Sequence, residues 1–256
     1  LKSGFNYDYF NKSGWQRILD VHGGKLPIRI ESVDEGSVIP VHNVLLTIVN
    51  TDDELPWITN FVETMLLRSI WYPTTVATLS YNIKQIIKKH CDITGCEVSP
   101  FHLNDFGARG VSSKESAELA GSAHLINFLG TDTIEGVTAA MKYYNTDVCG
   151  YSVMATEHST TTIYTKLNEV VAYETFIKNC PTDAILSLVI DSYDTENAVR
   201  TLLGGTLKEQ ILNRTGKVVC RPDSGDPVEM SLKVVSILWE EFGGTTAVAA
   251  VAAARW

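Results

Sequence analysis

The chain has 256 residues, 45% hydrophobic and 20% charged, which is enough to build one large α/β domain or two smaller ones. A formal net charge of -9 argues against broad binding to nucleic acid or anionic membranes, and no apolar run is long enough to cross a bilayer. The 5 cysteines contain no Cys-x-x-Cys pair, which argues against a disulfide framework or a structural zinc site and favours a reducing cytoplasm.

The first hundred residues predict an antiparallel sheet followed by two helices. Residues 26–33 alternate apolar and polar side chains, as a half-buried strand does, and residues 38–49 are rich in Val, Ile and Leu. Residues 57–66 and 76–87 each place apolar side chains on one helical face, and we expect Pro73 to end or kink the first helix. The linker-like composition that follows predicts a domain boundary between residues 99 and 100.

From Phe101 onward, short apolar stretches alternate with helix-start signals. Ser113 and Asp226 are placed as N-caps, and Pro227 suits the first position of a helix. This succession predicts a parallel sheet, with about five βα units where a closed barrel needs about eight. This number of units is consistent with an incomplete barrel and with an open doubly wound sheet. The alanine-rich tail, residues 245–254, has the propensity of a helix.

The predicted strands end on polar side chains, at the sheet edge where α/β folds bind ligands. This set comprises Asp105, Arg109, Asp132, Ser152, Glu157, His158, Ser187, Asp191, Arg221 and Asp223. The sequence lacks a Gly-x-Ser-x-Gly elbow, a Walker loop and a Gly-x-Gly-x-x-Gly fingerprint. Guanidinium groups bind phosphate, and carboxylates hold hydroxyls or magnesium. The residues alone therefore predict an α/β enzyme acting on a phosphorylated metabolite, although a helix cap is the better interpretation of Asp132, Asp194 or Asp226 taken singly.

Several of these strand ends belong to longer motifs, and a further motif surrounds Pro73 in the predicted helical region. In chain order they are Trp71-Tyr72-Pro73-Thr74-Thr75, Asp105-Phe106-Gly107-Ala108-Arg109-Gly110, Gly130-Thr131-Asp132-Thr133, Gly150-Tyr151-Ser152, Glu157-His158-Ser159-Thr160, Asp191-Ser192-Tyr193-Asp194 and Arg221-Pro222-Asp223-Ser224-Gly225. Together they resemble the nicotinamide phosphoribosyltransferases, which are type II phosphoribosyltransferases. The resemblance runs from about Phe5 to Phe242 and leaves the tail, residues 245–256, uncovered.

The resemblance implies an irregular (β/α) barrel domain preceded by part of an α+β sheet-containing domain. Residues 1–99 would be a partial N-terminal domain and residues 100–244 a partial catalytic barrel. It also implies a cytoplasmic homodimer with the active site at its interface. Nicotinamide and phosphoribosyl pyrophosphate would be joined into nicotinamide mononucleotide and pyrophosphate for NAD salvage, with no nucleic-acid or membrane partner.

The resemblance assigns one group of residues to the nicotinamide base. Phe106 would stack on the ring, and Asp132 would accept a hydrogen bond from the carboxamide and repel nicotinate. Ser152 and Ser187 would line the pocket. Arg221 would lie near both the base and the phosphates.

A second group is assigned to phosphate, ribose and ATP. Arg109 would bind phosphate, and Asp191 and Asp223 would lie near the ribose. ATP, as an activating co-substrate, would phosphorylate His158, which Glu157 and Asp191 orient. Mg²⁺ would arrive with phosphoribosyl pyrophosphate, and no metal ligand is assigned to the protein.

Departures from the family pattern leave alternatives open. Asn104 stands where many relatives have histidine, and Ala108 replaces a bulkier residue. A base-stacking tyrosine and a downstream Gly-Asp-Gly segment of the family are not among these residues, so we expect this exact polypeptide to be inactive. The alternatives are a nicotinate phosphoribosyltransferase and a non-catalytic fragment that keeps the fold.

Overall fold

The computed structural model describes residues 10–243 and 248–250, which form a mixed α/β structure. Its contacts divide the chain into two compact units, one through Ser152 and one from Val153. Residues on both sides of position 99 belong to the first unit, because the long helix before this position packs against the helix after it. The predicted domain boundary at that position stays a prediction.

The first unit begins with helix α1 (Lys12–His22) and an antiparallel pair of strands, β1 (Ile28–Ser32) and β2 (Leu46–Asn50). The predicted antiparallel pairing is confirmed, although β2 takes up only the end of the predicted stretch. Ile18 and Leu55 are buried beside these elements and hold them together.

Helix α2 (Ile58–Thr94) is continuous for 37 residues and contains Pro73. The prediction that the first of two helices ends at Pro73 is therefore wrong, and the alternative of a kink stays a prediction. Proline has no amide hydrogen, so the carbonyl four residues earlier loses its helical hydrogen-bond donor. This carbonyl belongs to Ser69, an exposed residue where water can replace the lost donor.

The remainder of the first unit contains short parallel strands and two helices. Its elements are β3 (Asn104–Asp105), a 3-10 helix (Gly107–Gly110), α3 (Lys114–His124), β4 (Gly130–Thr131) and α4 (Ile134–Tyr144). Strand β3 pairs in parallel with β4, and Tyr151 forms a parallel bridge with Gly130. Ser113 caps α3 as predicted, since its side chain accepts a hydrogen bond from the Ser116 amide at 3.1 Å.

The second unit is built on a parallel sheet in the order β5-β6-β7-β8. Its strands are β5 (Met154–Ala155), β6 (Leu186–Val189), β7 (Val218–Arg221) and β8 (Val248–Ala250). Its helices are α5 (His158–Thr162), a 3-10 turn (Lys166–Asn168), α6 (Glu169–Asn179), a π-helix (Asn197–Thr206), α7 (Lys208–Leu212) and α8 (Pro227–Phe242). The predicted parallel arrangement is confirmed for these strands.

Alternation along β6 and β7 gives this sheet two different faces. Leu186, Leu188 and Cys220 enter the main apolar cluster with side chains of α6 and α8. Ser187 and Arg221 lie at the alternate positions. The helix-covered face is therefore core, and the other face carries polar groups.

Two sequence signals near the end of the second unit have different outcomes. Asp226 caps α8, accepting from the amides of Val228 at 3.0 Å and Glu229 at 2.9 Å, as predicted. The helix propensity of the tail does not prevail at Val248–Ala250, which pairs with β7 as a parallel strand. Backbone groups along β7 gain hydrogen-bond partners in this way, and that need outweighs a weak local preference.

A buried arginine caps the C-terminal end of α6. The Arg214 guanidinium is 7% exposed and donates to the backbone carbonyls of Ile177, Cys180, Pro181 and Ala184. These acceptors lie at the helix terminus and in the turn after it, where carbonyls lack helical partners.

The predicted α/β class is confirmed. The described strands form sheets of two, two and four strands. None of the described helices is long and apolar enough to span a membrane.

Candidate functional site

In the first unit, three predicted site residues lie directly after residues that pair in parallel with a neighbouring strand. Phe106 follows β3, Asp132 follows β4, and Ser152 follows the bridging residue Tyr151. The Asp132 amide donates to the Asp105 carbonyl at 2.8 Å, which ties two of these ends together. The sheet thus brings Phe106, Asp132 and Ser152 to one edge, as the sequence predicts.

The Asp132 carboxylate is held by donors from both neighbouring segments. Asn104 Nδ2 donates to Oδ2 at 2.6 Å, and Ser152 Oγ donates to Oδ1 at 2.7 Å. The interpretation of Asp132 as a helix cap is wrong, because α4 is capped by Thr133 without a side-chain hydrogen bond. A carboxylate oxygen can accept more than one hydrogen bond, so this exposed group can still accept one from a ligand.

Phe106 and Arg109 lie on the turn that leaves β3. Asp105 Oδ1 accepts from the Gly107 amide at 2.7 Å and shapes the start of this turn. The Phe106 ring is 41% exposed, and Arg109 is an exposed residue of the 3-10 helix that follows. An exposed ring and a nearby guanidinium suit a flat aromatic ligand that carries phosphate.

In the second unit, His158 lies between two carboxylates from neighbouring strand ends. Its Nε2 is 3.1 Å from Asp191 Oδ1, after β6, and its Nδ1 is 3.9 Å from Asp223 Oδ2, after β7. A carboxylate only accepts hydrogen bonds, so the contact with Asp191 places a proton on Nε2. The neutral ring then keeps its lone pair on Nδ1.

The Asp191 carboxylate accepts several hydrogen bonds, which its position at a strand end alone does not predict. Its Oδ2 accepts from the Asp223 amide at 3.1 Å and from the Ser224 hydroxyl. Burial favours the neutral acid, but the hydrogen bonds from Ser224, the Asp223 amide and His158 outweigh it, and the pKa of Asp191 lies below its ordinary value. The carboxylate therefore stays ionised at neutral pH.

Arg221 and Glu157 meet at the same edge of the second unit. Arg221 is 6% exposed, and its guanidinium donates to the Thr156 carbonyl at 2.6 Å. The same nitrogen lies 3.9 Å from Glu157 Oε1. Glu157 is the N-cap residue of α5, and its amide donates to Thr160 Oγ1 at 3.2 Å.

Ser187 lies within β6 rather than at its end, opposite Ala155 and Val219 in the neighbouring strands. The residue is buried, and it occupies the sheet face away from the main apolar cluster. It thus shares a unit with His158, Asp191, Arg221 and Asp223, whereas Phe106, Arg109, Asp132 and Ser152 belong to the other unit.

Three residues that hold these groups were not predicted as site residues. Asn104, Ser224 and Thr156 contact Asp132, Asp191 and Arg221 respectively. Each lies within two residues of a predicted site residue, so position next to a strand end was the available signal. Their hydrogen-bond partners come from other strands, which no local pattern identifies.

No group of three or more His, Cys, Asp and Glu side chains is arranged to hold a metal ion within residues 10–243. Asp191 has both oxygens engaged by protein groups.

Comparison with known proteins identifies relatives of this chain. The chain resembles a nicotinamide phosphoribosyltransferase of Xanthomonas campestris pv. campestris, with 48% identity over 238 residues, 91% of this chain and 51% of the relative. Identity to that of Acinetobacter baylyi is 35% over 244 residues, 87% of this chain and 48% of the relative. For that of Mycoplasma pneumoniae it is 34% over 210 residues, 80% of this chain and 44% of the relative.

The chain thus spans about half the length of these relatives. The model of the nicotinate phosphoribosyltransferase (NAPRTase) family matches residues 101–252, which includes the strand ends of both units and part of the tail. The chain belongs to the nicotinate phosphoribosyltransferase family.

Proposed function

We propose that the complete protein is a nicotinamide phosphoribosyltransferase, forming nicotinamide mononucleotide and pyrophosphate from nicotinamide and phosphoribosyl pyrophosphate in NAD salvage. The observation that carries this choice of base is the Asp132 carboxylate, held by Asn104 and Ser152 at the strand edge that also presents Phe106. The names of the three relatives support the same choice.

The chemistry of the base follows from Asp132. A carboxamide NH₂ group donates hydrogen bonds, which the carboxylate accepts, whereas the carboxylate of nicotinate would meet a like charge. Stacking on Phe106 would hold the ring of the base. Asn104 and Ser152 keep the carboxylate in place before the base arrives.

The chemistry of the sugar belongs to the second unit. The ring nitrogen of nicotinamide forms a bond to C1 of the ribose as the bond from C1 to pyrophosphate breaks. Positive charge develops on the ribose, and the carboxylates of Asp191 and Asp223 would stabilise it. Arg221 and Arg109 would bind phosphate oxygens. Mg²⁺ would arrive chelated by pyrophosphate and neutralise the leaving group.

ATP would act through His158. With the Nε2 proton directed at Asp191, the Nδ1 lone pair can attack the terminal phosphorus of ATP, and ADP leaves. The added charge beside Asp223 would change the affinity for pyrophosphate and magnesium, which couples ATP hydrolysis to substrate capture. Glu157 would help to orient the ring. A cytoplasmic homodimer and a completed irregular barrel are further parts of this proposal, and they rest on the family resemblance.

Base selection tests the central claim. The natural protein should form nicotinamide mononucleotide and strongly prefer nicotinamide to nicotinate. Asp132→Asn should reduce kcat/KM for nicotinamide roughly 10- to 100-fold, since a hydrogen bond to a charged group contributes about 1.5–3 kcal/mol. Asp20→Asn is the control, because exposed Asp20 lies on α1, outside the predicted site, and accepts from Gln16 within the same helix. A preference for nicotinate would instead support the nicotinate enzyme, and no turnover of either base would support a non-catalytic role.

The ATP step has a separate test. His158→Ala should abolish stimulation by ATP while basal synthesis remains measurable. Synthesis with and without ATP is compared for the wild type and the variant. Equal loss of both activities would contradict the phosphohistidine role.

A further inference from the structure

Thr156 connects three strands of the second unit at the point where β5 ends. Its amide donates to the Ser187 carbonyl of β6 at 2.9 Å. Its hydroxyl oxygen accepts from the Val189 amide of β6 at 2.9 Å, and its carbonyl accepts from the Arg221 guanidinium of β7 at 2.6 Å. The residue is 5% exposed, so all of these contacts are shielded from water.

The hydroxyl of Thr156 takes the place of a backbone carbonyl. In a parallel sheet, one residue bonds to the partner strand through both its amide and its carbonyl. The amide donates to a carbonyl of the partner strand. The carbonyl accepts from the amide of the residue two positions further along that strand. After the bond from the Thr156 amide to Ser187, the expected donor to the Thr156 carbonyl is the Val189 amide. The side-chain oxygen accepts from that amide instead. The carbonyl is thereby released from the sheet.

The released carbonyl binds Arg221, which reaches it from beyond β6. The strand order β5-β6-β7 places β6 between the two residues. Arg221 is buried, and a buried guanidinium needs acceptors in fixed directions. The next residue after Thr156 is Glu157, whose Oε1 lies 3.9 Å from the same guanidinium nitrogen.

We propose that Thr156 is a positioning residue, whose hydroxyl frees its carbonyl to hold the Arg221 guanidinium beside Glu157. Arg221 is thereby fixed before substrate binds. The consequence for catalysis rests on the proposed function, in which Arg221 binds the base and phosphates. The effect on Arg221 itself does not depend on that function.

Three variants separate the hydroxyl from the rest of the side chain. Thr156→Val keeps the shape and removes the hydroxyl, so the carbonyl should return to the Val189 amide and release Arg221. Thr156→Ala removes the hydroxyl with a smaller side chain and serves if the valine variant does not fold. Thr156→Ser keeps the hydroxyl and should restore the arrangement. The matched control is Thr161→Val, because the buried Thr161 hydroxyl has no hydrogen-bond partner among the described residues.

The first measurement needs no activity. Arginines of the natural protein are modified with phenylglyoxal without substrates, and the rate at Arg221 is followed by peptide mass spectrometry. Buried Arg214, held by other carbonyls, is the internal reference. Thr156→Val or Thr156→Ala should increase the rate at Arg221 several-fold and leave Arg214 unchanged. Thr156→Ser and Thr161→Val should match the wild type.

The second measurement is the kinetics of nicotinamide mononucleotide synthesis. Loss of the hydroxyl should raise KM for phosphoribosyl pyrophosphate about fivefold to tenfold, with a smaller change in kcat and with rescue by serine. The proposal is overturned if Arg221 reacts equally fast in the valine or alanine variant and in the wild type, or if the serine variant behaves like them. If the wild type makes no product, the proposed function fails, while the labelling result still decides the role of Thr156.

Discussion

Replacing Asp191 by asparagine should destabilise the second unit and abolish the response to ATP. The substitution keeps the shape of the side chain and removes its charge. Asp191 Oδ2 accepts from the Ser224 hydroxyl and the Asp223 amide, while Oδ1 faces His158 Nε2. An asparagine would keep its carbonyl oxygen towards the two donors and turn its NH₂ group towards His158. The imidazole must then accept through Nε2 and carry its proton on Nδ1, where the phosphoryl group would have to bond.

The magnitude follows from these hydrogen bonds. A hydrogen bond to a charged acceptor contributes about 1.5–3 kcal/mol to stability, and one to a neutral acceptor about 0.5–1.5 kcal/mol. Removing the charge should therefore weaken each of the two hydrogen bonds to Oδ2 by about 1 kcal/mol. The free energy of unfolding should therefore fall by roughly 2 kcal/mol at pH 7. Exposed Asp194 gives the control, because Asp194→Asn retains an oxygen for the Asn197 amide and should change stability by less than about 0.5 kcal/mol.

The pH dependence has a definite sign. The folded-state pKa of Asp191 lies below its unfolded value of about 3.9, so its ionised form stabilises the fold above that value. This contribution is lost as the pH falls through the folded-state pKa. Urea denaturation of wild type and Asp191→Asn should therefore show a difference that is full at pH 7 and shrinks towards pH 3. A difference that is absent at pH 7, or equally large at both pH values, would refute the reasoning, as would normal ATP stimulation of the variant.

Other predictions concern packing and burial. Arg214→Met should lower the free energy of unfolding by about 3 kcal/mol in urea titrations, because it leaves buried carbonyls unpaired. Burial raises the pKa of the Cys220 thiol to about 12, so iodoacetamide at pH 8 should label exposed Cys96 and leave Cys220 unmodified until the protein unfolds. Gly136→Ala would place a Cβ 2.5 Å from the backbone of α3 and should cost about 1–3 kcal/mol in thermal or urea unfolding, whereas Gly110→Ala meets nothing within 4 Å and should cost less than about 0.5 kcal/mol.

Local signals predicted those parts of the fold that local chemistry determines. Ser113 and Asp226 cap helices because their side chains bond to amides two or three residues ahead, within the same stretch of sequence. The apolar runs that became β6 and β7 were recognisable by composition and length. The strand ends then followed, since residues after buried parallel strands share one edge.

Non-local contacts account for what local signals did not predict. Asp132 has the spacing of a helix cap, but Asn104 and Ser152 from other segments take its oxygens. Helix α2 continues through Pro73, and the carbonyl that loses its helical donor belongs to the exposed residue Ser69. The role of Thr156 depends on which backbone group its hydroxyl replaces, and this requires the register between β5 and β6.

The exposure of the carboxylates separates direct from indirect roles. The Asp191 side chain is 3% exposed and already engaged by His158, Ser224 and the Asp223 amide, whereas the Asp223 side chain is 33% exposed. A buried acceptor with its donors in place acts by fixing those donors, and a more accessible carboxylate at the same edge can meet a ligand. In the proposed reaction, Asp223 would thus be the carboxylate that contacts the sugar. Asp191 contacts His158 and would act on the ribose only through its charge.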